Sequence, residues 1–311
     1  MLTNMKDMQN VLIIENKKAG RGNHHLHEFR DLLIEKGINV VERELSRETT
    51  PEALTADTDN FQAVVAAGGD GTISCVAHAL SGKDIPLLTF PAGTANLIAV
   101  NLGIQDNAET LYDLLENGES SRIDLAELVV GTKQYGFTML AGVGLDAEMI
   151  HASEELKPTL GVAAYVVAML KKIAVPEADI TLEMDGKTVK TRGMSVMIAN
   201  FGMATFGIPI TEGIDPSDGL FTIIVLKGNT PLALVPSIIE SIKAHLKVGK
   251  VDYGDRIEVY HCKEITIHTD PTLPVQYDGE VVEDACTPIH ARVLPRAVRM
   301  IRAREKEELA T

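Results

Sequence analysis

The apolar positions in the first third of the chain come in short runs separated by stretches with helical spacing. Residues 11–15, 39–44, 61–67 and 86–90 are apolar or β-branched runs, with helical patterns between them at 24–36, 51–57 and 72–80. This alternation predicts a mostly parallel sheet with helices on both faces. Ligands of such sheets bind outside the carboxyl ends of the strands, where three loops rich in glycine or small polar residues fall, at 16–22, 68–72 and 91–96. From about residue 121 the pattern changes. Runs at 122–130 and 134–141 flank Gly131-Thr132-Lys133, and runs at 180–184 and 188–192 flank Asp185-Gly186-Lys187, the latter a hairpin signal. Further strands are predicted at 194–200, 220–226, 256–261, 264–269 and 288–293, with two helices near 160–172 and 231–247. The chain thus divides into an α/β domain over 1–121 and an antiparallel β domain over 122–293. A late apolar run, 298–301, lies inside the basic tail 292–304.

Composition narrows the picture. The chain has 311 residues, 45% hydrophobic and 23% charged, which suits a globular protein of two domains. Aromatic residues make up 4%, Trp is absent, and the net charge is −15. Nucleic-acid binding is therefore not expected, since it needs clustered cations and stacking surfaces. The same charge argues against strong attachment to an anionic bilayer. Cys75, Cys262 and Cys286 lack metal spacing and fit a reduced, cytoplasmic protein. The polar start 1–9 shows no signal segment, and 160–170 is too short to span a bilayer. His24-His25-Leu26-His27 has no Cys, Asp or Glu at ligand spacing and reads as a solvated helix start.

The candidate chemistry centres on Gly68-Gly69-Asp70-Gly71-Thr72, between a buried strand and a helix. Glycines there let the backbone approach a ligand closely, and the helix start offers amides and a positive dipole end to phosphate. An acid amid the glycines is explained if a metal ion or a hydroxyl is held beside the phosphates. That combination points to phosphoryl transfer from a nucleotide. Pro91-Ala92-Gly93-Thr94-Ala95-Asn96 reads as a second strand-end loop or as a helix start with Thr94 as N-cap. Asp278-Gly279-Glu280 reads as a hairpin turn, and Asp215-Pro216-Ser217-Asp218-Gly219 as a turn entering the strand at Leu220.

Taken in order, 68–72, 91–96 and Asp278-Gly279-Glu280 resemble the diacylglycerol kinase catalytic-domain family, which includes bacterial lipid kinases and the sphingosine and ceramide kinases. The segments 142–147, 200–202 and 215–220 extend the resemblance over nearly the whole chain. Two departures stand out. Asn16 is followed by Lys17-Lys18-Ala19-Gly20 where the family has Asn-Pro, and Leu97 stands where many bacterial members have Asp. The resemblance implies a three-layer nucleotide-binding α/β domain and a C-terminal antiparallel β-sandwich, with the active site in the cleft between them. It also implies return of the C-terminal segment, 294–311, to the first domain. It implies ATP and Mg²⁺ as cofactors, and transfer of the γ-phosphate to the hydroxyl of diacylglycerol or a related lipid. Asn16, Gly20, Gly68, Gly69, Asp70, Gly71, Thr72, Gly93, Thr94 and Asn96 would bind the nucleotide, with Asp70 organising the metal. Glu280 would be the general base, with Asp278 as its alternative, and Asp215, Asp218 and the Leu220 backbone would hold a structural magnesium ion. The expected partner is a lipid at a membrane surface, met by weak peripheral contact, with 162–170 a candidate pocket wall and Lys171-Lys172 a candidate contact patch. A homodimer is a further partner the reading leaves open. NAD kinases share the GGDGT loop and are the rival enzyme reading; a non-catalytic nucleotide-binding regulator is the rival from another class.

Overall fold

The structure, a computed structural model, describes residues 8–18, 24–145, 147–148, 175–202, 213–228 and 254–303. The predicted helices near 160–172 and 231–247, the Lys171-Lys172 patch and the nucleotide candidate Gly20 lie outside these. The chain forms two compact units, dividing between Ile123 and Asp124 and again between Pro295 and Arg296.

The first unit is built on parallel strands in the order β2-β1-β3-β4, with the end of β16 beside β4. These are β1 (Asn10–Glu15), β2 (Asn39–Glu44), β3 (Ala63–Gly68), β4 (Pro86–Pro91) and β16 (Ile289–Arg302). Every residue of β3 and β4 is buried, as expected of central parallel strands covered on both faces. Helix α1 (His24–Glu35) buries Leu26, Phe29 and Leu33, a helical stripe whose Phe29 ring meets Phe90 of β4 at 5.8 Å. Helix α2 (Pro51–Leu54) starts on the Thr50 cap, whose hydroxyl accepts from Ala53 N at 3.2 Å, with Pro51 in the first turn.

Helix α3 (Asp70–Ala79) begins two residues earlier than the pattern suggested, so Asp70 and Gly71 occupy its first turn rather than a loop tip. Helix α4 (Leu97–Asn101) takes up the helix start offered at 91–96, two residues later than a Thr94 cap would place it, whereas α5 (Ala108–Asn117) escaped the sequence reading. Helix α5 carried a legible cap, for Asn107 Oδ1 accepts from Thr110 N at 3.0 Å, ahead of buried Leu111, Leu114 and Leu115.

The second unit packs two sheets around one apolar core. One has the order β12-β11-β10-β7-β14-β15; the other joins β9, β8, β13 and the start of β16, with β5 and β6 alongside. Their ranges are β5 (Glu119–Val130), β6 (Lys133–Phe137), β7 (Leu140–Gly144), β8 (Ala178–Met184), β9 (Lys187–Gly193) and β10 (Ser195–Ala199). The rest are β11 (Phe221–Leu226), β12 (Ile257–Cys262), β13 (Glu264–Asp270), β14 (Pro274–Tyr277) and β15 (Glu280–Cys286). Strand β8 shows the logic, since Ala178, Ile180, Leu182 and Met184 turn inward and the residues between are more exposed. Phe137 of one sheet stacks on Phe221 of the other at 5.8 Å.

The single strand expected at 134–141 is two. The chain leaves β6 and enters β7, in the other sheet, at Thr138 and Met139. The runs expected at 288–293 and 298–301 are both inside β16, whose first part pairs antiparallel with β13 and whose last part pairs parallel with β4. Among the described residues no helix is long and apolar enough to cross a membrane.

Candidate active site

In the first unit, β1, β3 and β4 are parallel neighbours, so their carboxyl ends fall on one edge of the sheet. Gly68 and Pro91 are register partners there, and Ala92 N donates to Gly68 O at 3.0 Å. The two glycine loops then touch. A Cβ on Gly93 would lie 2.4 Å from Gly69 Cα, and one on Gly68 would lie 2.5 Å from Thr72 Cβ. No side chain fits at those two positions while the backbones stay in place.

The third loop is tied in by Asn16. Its Nδ2 donates to Thr72 Oγ1 at 3.1 Å, its Oδ1 accepts from Lys18 N at 3.1 Å, and its backbone N–H reaches Ala67 O at 3.0 Å. The structure therefore brings Asn16, Gly68, Gly69, Asp70, Gly71, Thr72, Gly93 and Asn96 together on one sheet edge. Thr94 is exposed in the same loop. It is not the cap of α4: that position is held by Asn96, in the left-handed region at φ 51. Asn96 closes the loop instead, its Oδ1 accepting from Gly93 N at 2.8 Å and its Nδ2 donating to Gly93 O at 3.0 Å.

Ile73 N is the first donor inside α3, to Gly69 O at 3.1 Å. The amides of Asp70, Gly71 and Thr72 before it have no intrahelical partner, which is the usual condition of a helix start and the basis of anion binding there. The half-buried Asp70 accepts at Oδ1 from Ile98 N at 2.9 Å, linking α3 to α4. Of the two lysines after Asn16, Lys17 is committed to Glu44 at 2.9 Å, and its hydrogen bond to that carboxylate raises its pKa.

In the second unit, Asp278 and Gly279 form a two-residue turn, at φ 43 and 86, between register partners Tyr277 and Glu280. The Asp278 carboxylate accepts from Thr138 N and Met139 N at 2.8 Å each and from Leu140 N at 3.2 Å. Glu280 is exposed and accepts from the Tyr277 hydroxyl at 3.3 Å.

The Asp215–Leu220 segment stabilises itself. Asp215 Oδ1 accepts from Ser217 N at 2.9 Å and Oγ at 2.6 Å, and Asp218 Oδ1 accepts from Leu220 N at 2.8 Å. No cluster of three Asp, Glu, His or Cys side chains able to hold a metal occurs among the described residues. The donor class suits a hard cation, and the turn's own hydrogen bonds engage one oxygen, Oδ1, of each acid.

Two residues unassigned in the sequence reading complete this region. Asp124 is fully buried, with Oδ2 accepting from Gly219 N at 2.6 Å. Asn200, also buried, donates from Nδ2 to Asp124 O and Thr138 O, each at 2.8 Å. The available signal was an acid between apolar neighbours, Ile123 and Leu125, inside a strand pattern.

Comparison with known proteins follows this geometry. A family model described as the diacylglycerol kinase catalytic domain matches residues 10–128. A second, described as the YegS C-terminal NAD kinase beta sandwich-like domain, matches residues 140–302, over half of the chain. The chain is 28% identical over 286 residues to a Mycobacterium tuberculosis protein named diacylglycerol kinase, covering 86% of each. It is 28% identical over 304 residues to the Escherichia coli protein named "Probable lipid kinase YegS", covering 95% of this chain and 96% of that one. A crystal structure of a diacylglycerol kinase from Bacillus anthracis str. Sterne matches with a TM-score of 0.69 at 19% identity, covering 95% of this chain and 97% of that chain, a likeness of fold. The two models follow one another along the chain in the order of its two units, and the chain belongs to the diacylglycerol kinase catalytic-domain family of lipid kinases.

Proposed function

We propose that the protein transfers the γ-phosphoryl group of Mg·ATP to the hydroxyl of diacylglycerol or a related lipid. The observation that carries this reading is the seam between Gly69 and Gly93 at the head of α3. It places two backbone loops and a helix start on one sheet edge with no side chain between them. The amides of Asp70, Gly71 and Thr72 would meet the phosphates, with Asn16 and Asn96 holding the loops that frame them.

Magnesium, when bound, supplies charge neutralisation on the phosphates. Asp70 is the residue that would hold it: one carboxylate plus substrate phosphates is an ordinary magnesium environment. Asp70 Oδ1 is engaged with Ile98 N, and no hydrogen bond to Oδ2 is found among the described residues. Transfer forms a bond from the lipid oxygen to the γ-phosphorus and breaks the bond from that phosphorus to the oxygen of ADP. The hydroxyl proton passes to the Glu280 carboxylate. A second magnesium ion at Asp215, Asp218 and Leu220 rests on the resemblance, and no step is routed through it.

The lipid would be met at a membrane surface by weak contact, because a net charge of −15 offers an anionic bilayer little overall attraction. The test is incubation of the purified protein with γ-labelled ATP, magnesium and, separately, diacylglycerol, a total lipid extract and NAD. Label in an organic-soluble phospholipid supports the reading. The NAD arm is included because the C-terminal model carries an NAD kinase-like description. Label in NADP alone would refute the lipid acceptor.

A further inference from the structure

We infer that Asp278 is a positioning residue: its carboxylate seats the Asp278-Gly279 turn on the backbone of residues 138–140 and thereby presents Glu280. The inference rests on the kinase reading and deepens it. The turn alone does not explain the acid. Two-residue turns with positive φ at both positions accept Asn-Gly as readily as Asp-Gly. What distinguishes a carboxylate is its acceptor capacity, and here both oxygens are used, by the N–H groups of Thr138, Met139 and Leu140. Asp278 N donates in turn to Leu140 O at 2.7 Å.

Those amides lie where the chain passes from β6 in one sheet to β7 in the other. Such a crossing interrupts both ladders, and its amides need another acceptor. A carboxylate committed to three N–H donors is badly placed to take a proton, because the protonated oxygen would surrender acceptor capacity to those donors. Glu280, one residue beyond the turn, is exposed and among the described residues carries only the Tyr277 hydroxyl bond at 3.3 Å.

The same device occurs at a second Asp-Gly turn among the described residues of this unit. Asp185 and Gly186 turn β8 into β9 at φ 47 and 79, and the Asp185 carboxylate accepts from Lys263 N and Glu264 N at 3.1 Å each. The two Asp-Gly turns thus dock their hairpins onto neighbouring backbone in one way, and only the second is followed by the proposed base.

The test compares Asp278→Asn, Glu280→Gln, the double variant and Asp185→Asn as control. Asp278→Asn is expected to speed amide hydrogen exchange at 138–140 and to lower kcat by about 10²-fold, the scale of a misplaced reacting group. Its pH–rate profile should keep its wild-type shape. The double variant should be no slower than Glu280→Gln alone, because groups acting as a unit are not additive, and Asp185→Asn should turn over as wild type does. Asp278→Glu, which keeps the charge but moves it by a methylene, should lose activity as Asp278→Asn does. Unchanged exchange at 138–140, a double variant slowed by the product of the two single effects, or full activity in Asp278→Glu would each overturn the inference. So would a pH dependence that vanishes in Asp278→Asn and persists in Glu280→Gln. Exchange reads the clamp without turnover, so its failure is distinct from that of the kinase reading, which falls if the wild-type chain labels no lipid.

Discussion

Gly93→Ala should damage the first unit far more than Gly69→Ala, although the two glycines face each other. A methyl on Gly93 would sit 2.4 Å from Gly69 Cα, 2.9 Å from Asn96 Oδ1 and 3.2 Å from Gly69 N. Two of these neighbours are backbone atoms that cannot turn aside. A methyl on Gly69 meets only Gly93 Cα, at 3.4 Å, an ordinary contact distance. Forcing an extra methyl into packed structure costs about 1–3 kcal/mol. In units of this size that corresponds to about 2–4 °C of melting temperature per kcal/mol, so Gly93→Ala should melt several degrees lower. The loops would also separate, and a loss of about 1.4 kcal/mol in nucleotide binding is a tenfold rise in Kd. Calorimetric unfolding and titration with ATP, run side by side on both variants, read the two effects. Gly93→Ala that melts and binds as wild type does, or Gly69→Ala that is equally impaired, would refute the close approach of the two loops.

Three further outcomes are expected. Asp70→Asn should fold normally, since the amide oxygen can still accept from Ile98 N, whereas Asp70→Ala should lose about 1–3 kcal/mol of stability by leaving that donor unmet; both should lose most kinase activity, measured as labelled lipid. Cys75 and Cys286 are exposed while burial pushes the Cys262 thiol up to about 12, so a thiol reagent at pH 8 should modify two cysteines quickly in the native protein and the third only on unfolding. The hydrogen bond from Arg43 holds the Asp57 carboxyl below its ordinary value. A carboxyl depressed in the folded state stabilises above its unfolded pKa, about 3.9. Asp57→Asn should therefore melt lower than wild type at neutral pH, with the difference closing as pH falls below that value.

The apolar runs of β1, β3 and β4 were found because strands buried on both faces must be continuously apolar. Helix α3 was found as an element, but its start was misplaced: glycines read as loop residues, and propensity does not register that Asp70 and Gly71 can occupy a first turn. Helix α4 is five residues long and too short for periodicity to reveal. The split at Thr138 was invisible because alternation continues through it, and only the change of sheet shows that the amides there need the Asp278 carboxylate.

By itself the sequence determined the class of each half, since the period of its apolar positions changes near residue 121. It also determined the glycine-rich strand ends and the family to which their order belongs. Those properties are local, and local spacing carries them. Tertiary structure alone decided which loops meet. That Gly69 presses on Gly93, that Asn16 reaches Thr72, and that Asp278 serves residues 138–140 depend on strand order and register. Those contacts join residues far apart in the chain, and no spacing within a single segment encodes them.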